Sequence, residues 1–195
     1  MLAGDEEALA RLYRRRAAGV YRFALQMCGS ETLAEDVTQE VFMVLIRERP
    51  AFDPARGSLS AFLLGIARNH VLRRLRRERF YVALAEDSEN ERTSKAASRS
   101  ATFAGPLDDL ARKQAIESVR RSVLALPERY REAVVLCDLQ EMSYVEAAEI
   151  LGCAVGTVRS RLHRARGLLI AKLRPEDKAK MAEATTQFAE CNANC

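Results

Sequence analysis

The sequence predicts an all-α protein built as two small helical domains joined by a flexible linker, the second domain containing a helix-turn-helix. Three observations predict it. Ala, Leu, Arg and Glu dominate, aromatic residues make up only 6% and tryptophan is absent, a composition that favours helices. Apolar residues recur at helical spacing in one segment after another, each bounded by a capping residue, a glycine or a proline. Around residues 84–106 that pattern lapses into a polar, serine-bearing stretch that cannot bury enough surface to order itself.

The chain has 195 residues, 48% of them hydrophobic, which is enough for a real core. Net charge is a mild +4, but the arginines cluster, so the local field matters more than the total. No apolar run approaches the ~20 residues of a membrane span, and no signal-peptide pattern opens the chain. A cytoplasmic protein without membrane insertion is expected. Five cysteines, an odd count without framework spacing, suit a reducing compartment.

Taken in order, residues 6–28 place Leu9, Leu12, Tyr13, Val20, Phe23, Ala24 and Met27 at helical spacing, and Gly29-Ser30 closes that helix. Thr32 followed by Glu35 has the form of a capping box and opens the next one. There Val37, Val41, Val44 and Leu45 form the inner stripe, while Asp36, Gln39, Glu40, Met43 and Arg47 line the outer side. An adaptable methionine ringed by polar and acidic groups is suited to docking a basic partner, and equally to plain solvated surface.

Pro50 ends that helix, and Pro54 and Gly57 mark the following loop. A helix over residues 61–79 comes next, with Leu64, Ala67, Val71 and Leu75 inward. Asn69, Arg73, Arg76 and Arg77 share its outward face, with Arg68, Arg74 and Arg79 nearby. Six arginines against one glutamate in residues 68–79 form a stripe suited to a phosphate backbone.

After the linker, residues 107–124 are helical, with Asp108 and Asp109 in the first turn, where the helix dipole favours acids. ERYREAVVLCDL is a short apolar helix leading into the stretch that organises the second half. In that stretch Ser143 and Glu146 form a capping box that starts a helix at Tyr144. Ala147, Ala148, Ile150 and Leu151 give it an apolar stripe, and Gly152 ends it. A second helix begins near Val155, burying Val158, Leu162, Ala165 and Leu169. Ser160, His163, Arg164 and Gly167 face outward, with Arg159 and Arg166 on one flank. Two short helices joined by a tight turn, the second basic outside and apolar inside, are the form of a DNA-reading helix-turn-helix.

These motifs, AEDVTQEVF, SLSAFLLGIARNHVLRRLRR, LPERYREAVVL and SYVEAAEILG…GTVRSRLHRAR, resemble in order and spacing the extracytoplasmic-function (ECF) sigma factors of bacterial RNA polymerase. The resemblance spans roughly residues 9–173. It implies a first domain over residues 1–83, a linker over 84–106, a second domain over 107–174 and a polar tail over 175–195. It further implies that Asp36, Gln39, Glu40 and Met43 dock on the clamp helices of the largest polymerase subunit. By the same resemblance, the loop from Phe52 to Ser60 with Arg68, Asn69, Arg73, Arg76 and Arg77 captures and melts the −10 promoter element. Thr157, Arg159, Ser160, His163 and Arg164 read the −35 element as duplex. Arginine suits guanine edges and phosphates, and asparagine suits a flipped base. The family often has an anti-sigma factor as a further partner. Phe62, Gly65 and Ala154 depart from the family's usual residues without removing any proposed contact.

Other features are weaker. His70 and His163 fall on separate domains, and no Cys/His spacing gathers four metal ligands. Cys28, Cys137 and Cys153 sit in apolar settings as small core residues, whereas Cys191 and Cys195 in the tail are candidates for a thiol sensor. No catalytic motif, cofactor site or small-molecule site is present in the pattern, so no enzyme is expected. A stand-alone helix-turn-helix regulator is the alternative reading, and a protein-interaction module with merely solvated basic faces is a third.

Overall fold

Seven α-helices carry the described residues, 3–48, 52–86 and 108–173 of the computed structural model, and no strand occurs among them. They are α1 (Ala3–Cys28), α2 (Glu31–Glu48), α3 (Leu59–Glu86), α4 (Asp108–Leu124), α5 (Glu128–Val134), α6 (Tyr144–Leu151) and α7 (Val155–Leu173). A single 3-10 turn (Pro54–Arg56) precedes α3, and a π-helical stretch (Val135–Leu139) continues α5. The all-α class is as expected. Most of the expected linker, and the tail with Cys191 and Cys195, lie outside the described residues.

The helix boundaries follow from local chemistry, with two corrections. Gly29 takes φ +74, a left-handed conformation, and its amide bonds the Leu25 carbonyl, ending α1. The chain therefore re-enters helix at once, and Ser30 caps α2 by accepting from the Leu33 amide at 3.3 Å. Thr32, expected as that cap, lies exposed inside the first turn instead. Helix α3 is also longer than expected. Ser58 caps it by accepting from the Ala61 amide at 3.2 Å, and it runs through Glu86, because residues 80–86 contain no Gly or Pro to stop it.

Val20, Phe23 and Met27 of α1, Val37 and Val41 of α2, and Leu63, Leu64, Ala67 and Val71 of α3 are buried together. The stripe expected on α1 holds from Val20 onward, but Tyr13 is 48% exposed and meets Phe42 edge-on, with ring centroids 4.8 Å apart. In the second half, Leu126, Val134, Val135 and Leu136 pack with Ala147, Leu151, Val158, Leu162 and Ala165. Each of the Val, Leu, Phe and Met side chains among them contributes roughly 1.5–3 kcal/mol on leaving water.

The two halves do not stand apart. Their buried residues form one continuous cluster, with α3 against α6 and α1 against α4 and the π-helical stretch. Gly29 lies so close to the second half that a Cβ there would sit 2.8 Å from a Leu124 methyl. Arg131 donates from one guanidinium to the carbonyls of Leu124 and Leu126 and, across the halves, to Met27 at 2.7 Å. That fork satisfies carbonyls left open where α1 and α4 end.

Candidate nucleic-acid interface

The helix-turn-helix forms as its sequence demands. The Ser143 hydroxyl accepts from the Glu146 amide at 3.2 Å, and the Glu146 carboxylate accepts from the Ser143 amide at 3.1 Å, which completes the capping box. Gly152, at φ +62 and ψ +40, makes the turn that an L side chain resists. Helix α7 then leaves with Val158, Leu162 and Ala165 buried, which fixes the azimuth of its other side. Arg159, Ser160, His163 and Arg164 are all exposed on that side, and Thr157 is half-buried near its start.

Two neighbours outside the expected contact set, Asp138 and Tyr130, hold this helix in place. Arg166 donates to both carboxylate oxygens of Asp138, at 3.1 and 2.6 Å, so the π-helical stretch grips the flank of α7. Tyr130 of α5 is hydrogen-bonded by Arg164, and this, with Arg129 alongside, lowers the phenol below its ordinary pKa. The Arg129 guanidinium also lies over the Tyr130 ring, 4.8 Å from its centroid. Ser160 donates its hydroxyl proton to the Thr157 carbonyl at 2.9 Å, leaving oxygen lone pairs outward. The sequence signal for these supports was present, in the ERYRE and CDL segments, but pairing partners 28 to 34 residues apart leave no local periodicity to read.

On α3, Arg68, Asn69, Leu72, Arg73, Arg76 and Arg77 line one open groove of about 420 Å³. Asn69, Arg73, Arg76 and Arg77 are exposed there. Arg68 differs: its Nε donates to Glu132 Oε1 at 2.6 Å, and Glu132 is only 4% exposed. Beside the groove's helix, Phe52 of the preceding loop packs on Phe62, with ring centroids 5.5 Å apart, and Asp53 caps the 3-10 turn by accepting from Ala55. An aromatic anchor and a carboxylate cap thus give a short loop a defined shape.

The remaining expected residues lie on α2. Asp36, Gln39 and Glu40 are exposed and Met43 is half-buried, all on the side away from the core. Cys28 and Cys137 are half-buried thiols. Burial raises the pKa of both, with the nearby Asp138 adding to the effect at Cys137, which is pushed up to about 11. Both therefore stay protonated near neutrality and make poor metal ligands or nucleophiles. Among the described residues no group of His, Cys, Asp and Glu is arranged to hold a metal. No described helix is long and apolar enough to cross a membrane.

Comparison with known proteins gives two family matches, to sigma-70 region 2 over residues 12–81 and to sigma-70 region 4 over residues 116–178. The chain is 31% identical over 172 residues to the ECF RNA polymerase sigma factor SigW of Bacillus subtilis, covering 88% of this chain and 91% of that one. It is 33% identical over 174 residues to the ECF sigma factor SigC of Mycobacterium tuberculosis, covering 89% and 88%. Among solved structures it resembles the sigma factor RpoE of Bartonella quintana, crystallised with the anti-sigma factor NepR. That likeness has a TM-score of 0.68 at 26% identity, over 86% of this chain and 97% of that one. It shares its fold with CnrH, solved with the cytosolic domain of CnrY, at a TM-score of 0.60.

Proposed function

The chain belongs to the ECF sigma factors and directs promoter-specific transcription initiation as a subunit of bacterial RNA polymerase, and from that premise we propose how its surfaces divide the work. Residues 1–83 act as the polymerase-binding and −10 domain, and residues 107–174 as the −35 domain, with 84–106 connecting them. Asp36, Gln39, Glu40 and Met43 dock on the clamp helices of the largest polymerase subunit. The acids steer a basic surface and the methionine supplies adaptable apolar contact. An anti-sigma factor is a further partner, as NepR is for RpoE.

On DNA, Arg159, His163 and Arg164 project from one side of α7 toward base edges in the −35 major groove, with Thr157 and Ser160 placed for phosphates. Asn69 with Arg73, Arg76 and Arg77 receives the melted −10 strand, the amide meeting an unstacked base and the guanidiniums its phosphates. The chemistry is non-catalytic on this side: the polymerase makes the bond. The observation that carries this reading is the pairing of two arginine-rich helical surfaces, one per half, with a separate acidic face on α2. A stand-alone regulator would leave the region 2 match over residues 12–81 without a role.

Run-off transcription with core polymerase over a promoter library tests it. Initiation that depends on this protein and is lost on replacing Asp36 and Gln39 is the expected result. Initiation that survives that replacement refutes the docking assignment.

A further inference from the structure

The DNA-facing side of α7 carries one side chain whose charge is not fixed. Arg159, Arg164 and Arg166 stay cationic throughout the physiological range. His163 is exposed among them, and imidazole is the side chain whose charge changes between about pH 5 and 8. We propose that His163 is a proton-linked contact: its ring takes a proton from solvent as α7 enters the −35 groove, so that promoter affinity falls as pH rises. This rests on the sigma-factor reading above and names how that same site is regulated.

In the free protein nothing around the ring rewards that proton. Helical spacing places Arg159 one turn before His163 and Arg166 one turn after it, on the same side. Arg166 is already matched by Asp138 of the π-helical stretch, through two hydrogen bonds, and by the Tyr144 hydroxyl of α6. The Asp138 carboxylate is therefore committed to a guanidinium rather than to the imidazole. Among the described residues the His163 ring has no hydrogen-bond or ion-pair partner of its own. Its other neighbours at that spacing, Ser160 and Gly167, are small and leave the ring room to turn.

DNA changes the balance. The walls of the groove are rows of phosphate acceptors, and its floor offers further acceptors at guanine N7 and O6 and thymine O4. Neutral imidazole has one N–H and one bare nitrogen, whereas imidazolium has two N–H donors. The two nitrogens point widely apart, so one can meet a base edge while the other meets a phosphate. Between acceptors the neutral ring leaves its bare nitrogen facing a lone pair. The charged ring satisfies both sides and adds an attraction to phosphate. A ring charged in the complex at a pH where it is neutral when free supplies affinity that is complete in acid. That affinity is lost as pH rises through the point at which the bound ring gives up its proton.

Two other titratable groups of this half hold steady over that range. Burial pushes the Cys137 thiol up to about 11, and hydrogen bonds from Ser58 and Ser143 keep Glu146 ionised. The Tyr130 phenol, lowered by its bond to Arg164, and the half-buried Cys153 thiol in the turn before α7 are the groups that could imitate the effect. Loss of a proton from either would also weaken binding to an anion. Variants at His163 separate the two cases.

Holoenzyme reconstituted with wild type, His163→Gln or His163→Arg is titrated onto a fluorescent duplex promoter at about pH 6, 7 and 8, at two fixed ionic strengths. The polymerase's own pH dependence is common to all three and cancels in ratios. Wild type should bind about tenfold tighter than His163→Gln at the acid end and about equally at the alkaline end, as a tenfold change in proton affinity requires. The wild-type slope of log affinity against log salt should be steeper by about one in acid, and the slopes of both variants should not move with pH. Should His163→Arg lose binding altogether, His163→Gln decides alone. A wild-type pH course matched by His163→Gln, or a wild-type salt slope indifferent to pH, overturns the proposal and passes any pH dependence to Tyr130 or Cys153. Holoenzyme that binds no promoter at any pH, wild type included, defeats the sigma-factor reading instead.

Discussion

Arg166 and Asp138 face each other as a two-pronged pair, guanidinium nitrogens at 3.1 and 2.6 Å from the two carboxylate oxygens. The pair joins the flank of the recognition helix to the π-helical stretch, where the amide of Gln140 reaches back five residues to the Val135 carbonyl. A stretch of π geometry shifts the residues that follow around the helix axis, and here Asp138 faces α7. The pair is partly open to solvent, with 52% and 29% of the two side chains exposed, so its worth is discounted toward that of a surface ion pair. Asp138→Ala and Arg166→Ala should each cost about 1 kcal/mol in urea unfolding, and the double variant scarcely more than either. Full additivity in that cycle would show that the pair carries no coupling.

Glu146 holds two partners at once, Ser58 across the halves and Ser143 in its own cap, and these hydrogen bonds to the ionised form keep its carboxyl below the usual range. A folded-state pKa lowered in this way stabilises the protein fully above the unfolded value near 4.5. That contribution is lost as pH falls through the lowered folded value. Glu146→Gln should therefore lower the melting temperature at pH 7, with the difference from wild type shrinking steadily below about pH 4.5. A difference that is constant from pH 7 to 3 would remove the ionised carboxylate from the account.

Two glycines should respond to alanine with opposite sign. Gly29 sits at φ +74 with its missing Cβ 2.8 Å from Leu124, so Gly29→Ala meets both backbone strain and a neighbour that must yield. A loss of about 1–2 kcal/mol is expected, felt at the contact between the halves. Gly65 lies inside α3, where an added Cβ would meet nothing within 4 Å beyond its own turn of helix, so Gly65→Ala should gain about 0.5–1 kcal/mol. Thermal or urea unfolding of both variants checks the pair, and equal signs would contradict it.

What could be read from the sequence was whatever repeats over three or four residues. The inner stripes of α3 and α7, the Ser143–Glu146 box and the Gly152 turn are all local patterns, and each appears where periodicity placed it. On α2, Val37 and Val41 are buried as placed, but Phe42 is buried with them and Val44 is only half-buried. Thr32 shows the limit of such patterns. Its spacing to Glu35 imitates a cap, but the boundary was set by Gly29 turning the chain three residues earlier. Tyr13 follows the α1 stripe in spacing and still stays half in water, because only its edge finds Phe42. Arg68 and Glu132 are 64 residues apart. No periodicity announces that one arginine of an outwardly basic helix is turned to the other half, nor that the halves share one core. The supports of α7, Tyr130 and Asp138, were hidden for the same reason.

The core of the recognition domain gives a direct stability prediction. Leu162 is 2% exposed, between Val158 and Ala165 on the inner side of α7. Leu162→Ala should cost about 2–5 kcal/mol through lost burial and an unfilled cavity. Because α7 packs against α4, α5 and α6, the same change should also lower −35 duplex affinity without removing any DNA-facing side chain. Affinity unchanged alongside a large stability loss would mean that the azimuth of α7 is set by its flank pair rather than by its core stripe.

Base reading and phosphate binding on α7 are separable by measurement. Arg159 and Arg164 are both exposed, but Arg164 is also engaged by Tyr130, which leaves Arg159 the freer of the two to pair with a guanine edge. Arg159→Ala should cost roughly 1–3 kcal/mol on the cognate promoter and much less on a sequence altered at one −35 position. A phosphate contact instead weakens all sequences alike and lowers the slope of log affinity against log salt by about one. Tyr130→Phe provides the internal control. Releasing Arg164 from the phenol should blunt discrimination among −35 variants while leaving the salt slope unchanged, since no charge is added or removed. Holoenzyme binding to a panel of −35 substitutions at two salt concentrations yields both quantities. If Arg159→Ala lowers affinity equally across the panel and reduces the slope, Arg159 is a phosphate contact and the reading of bases falls to His163 and Arg164.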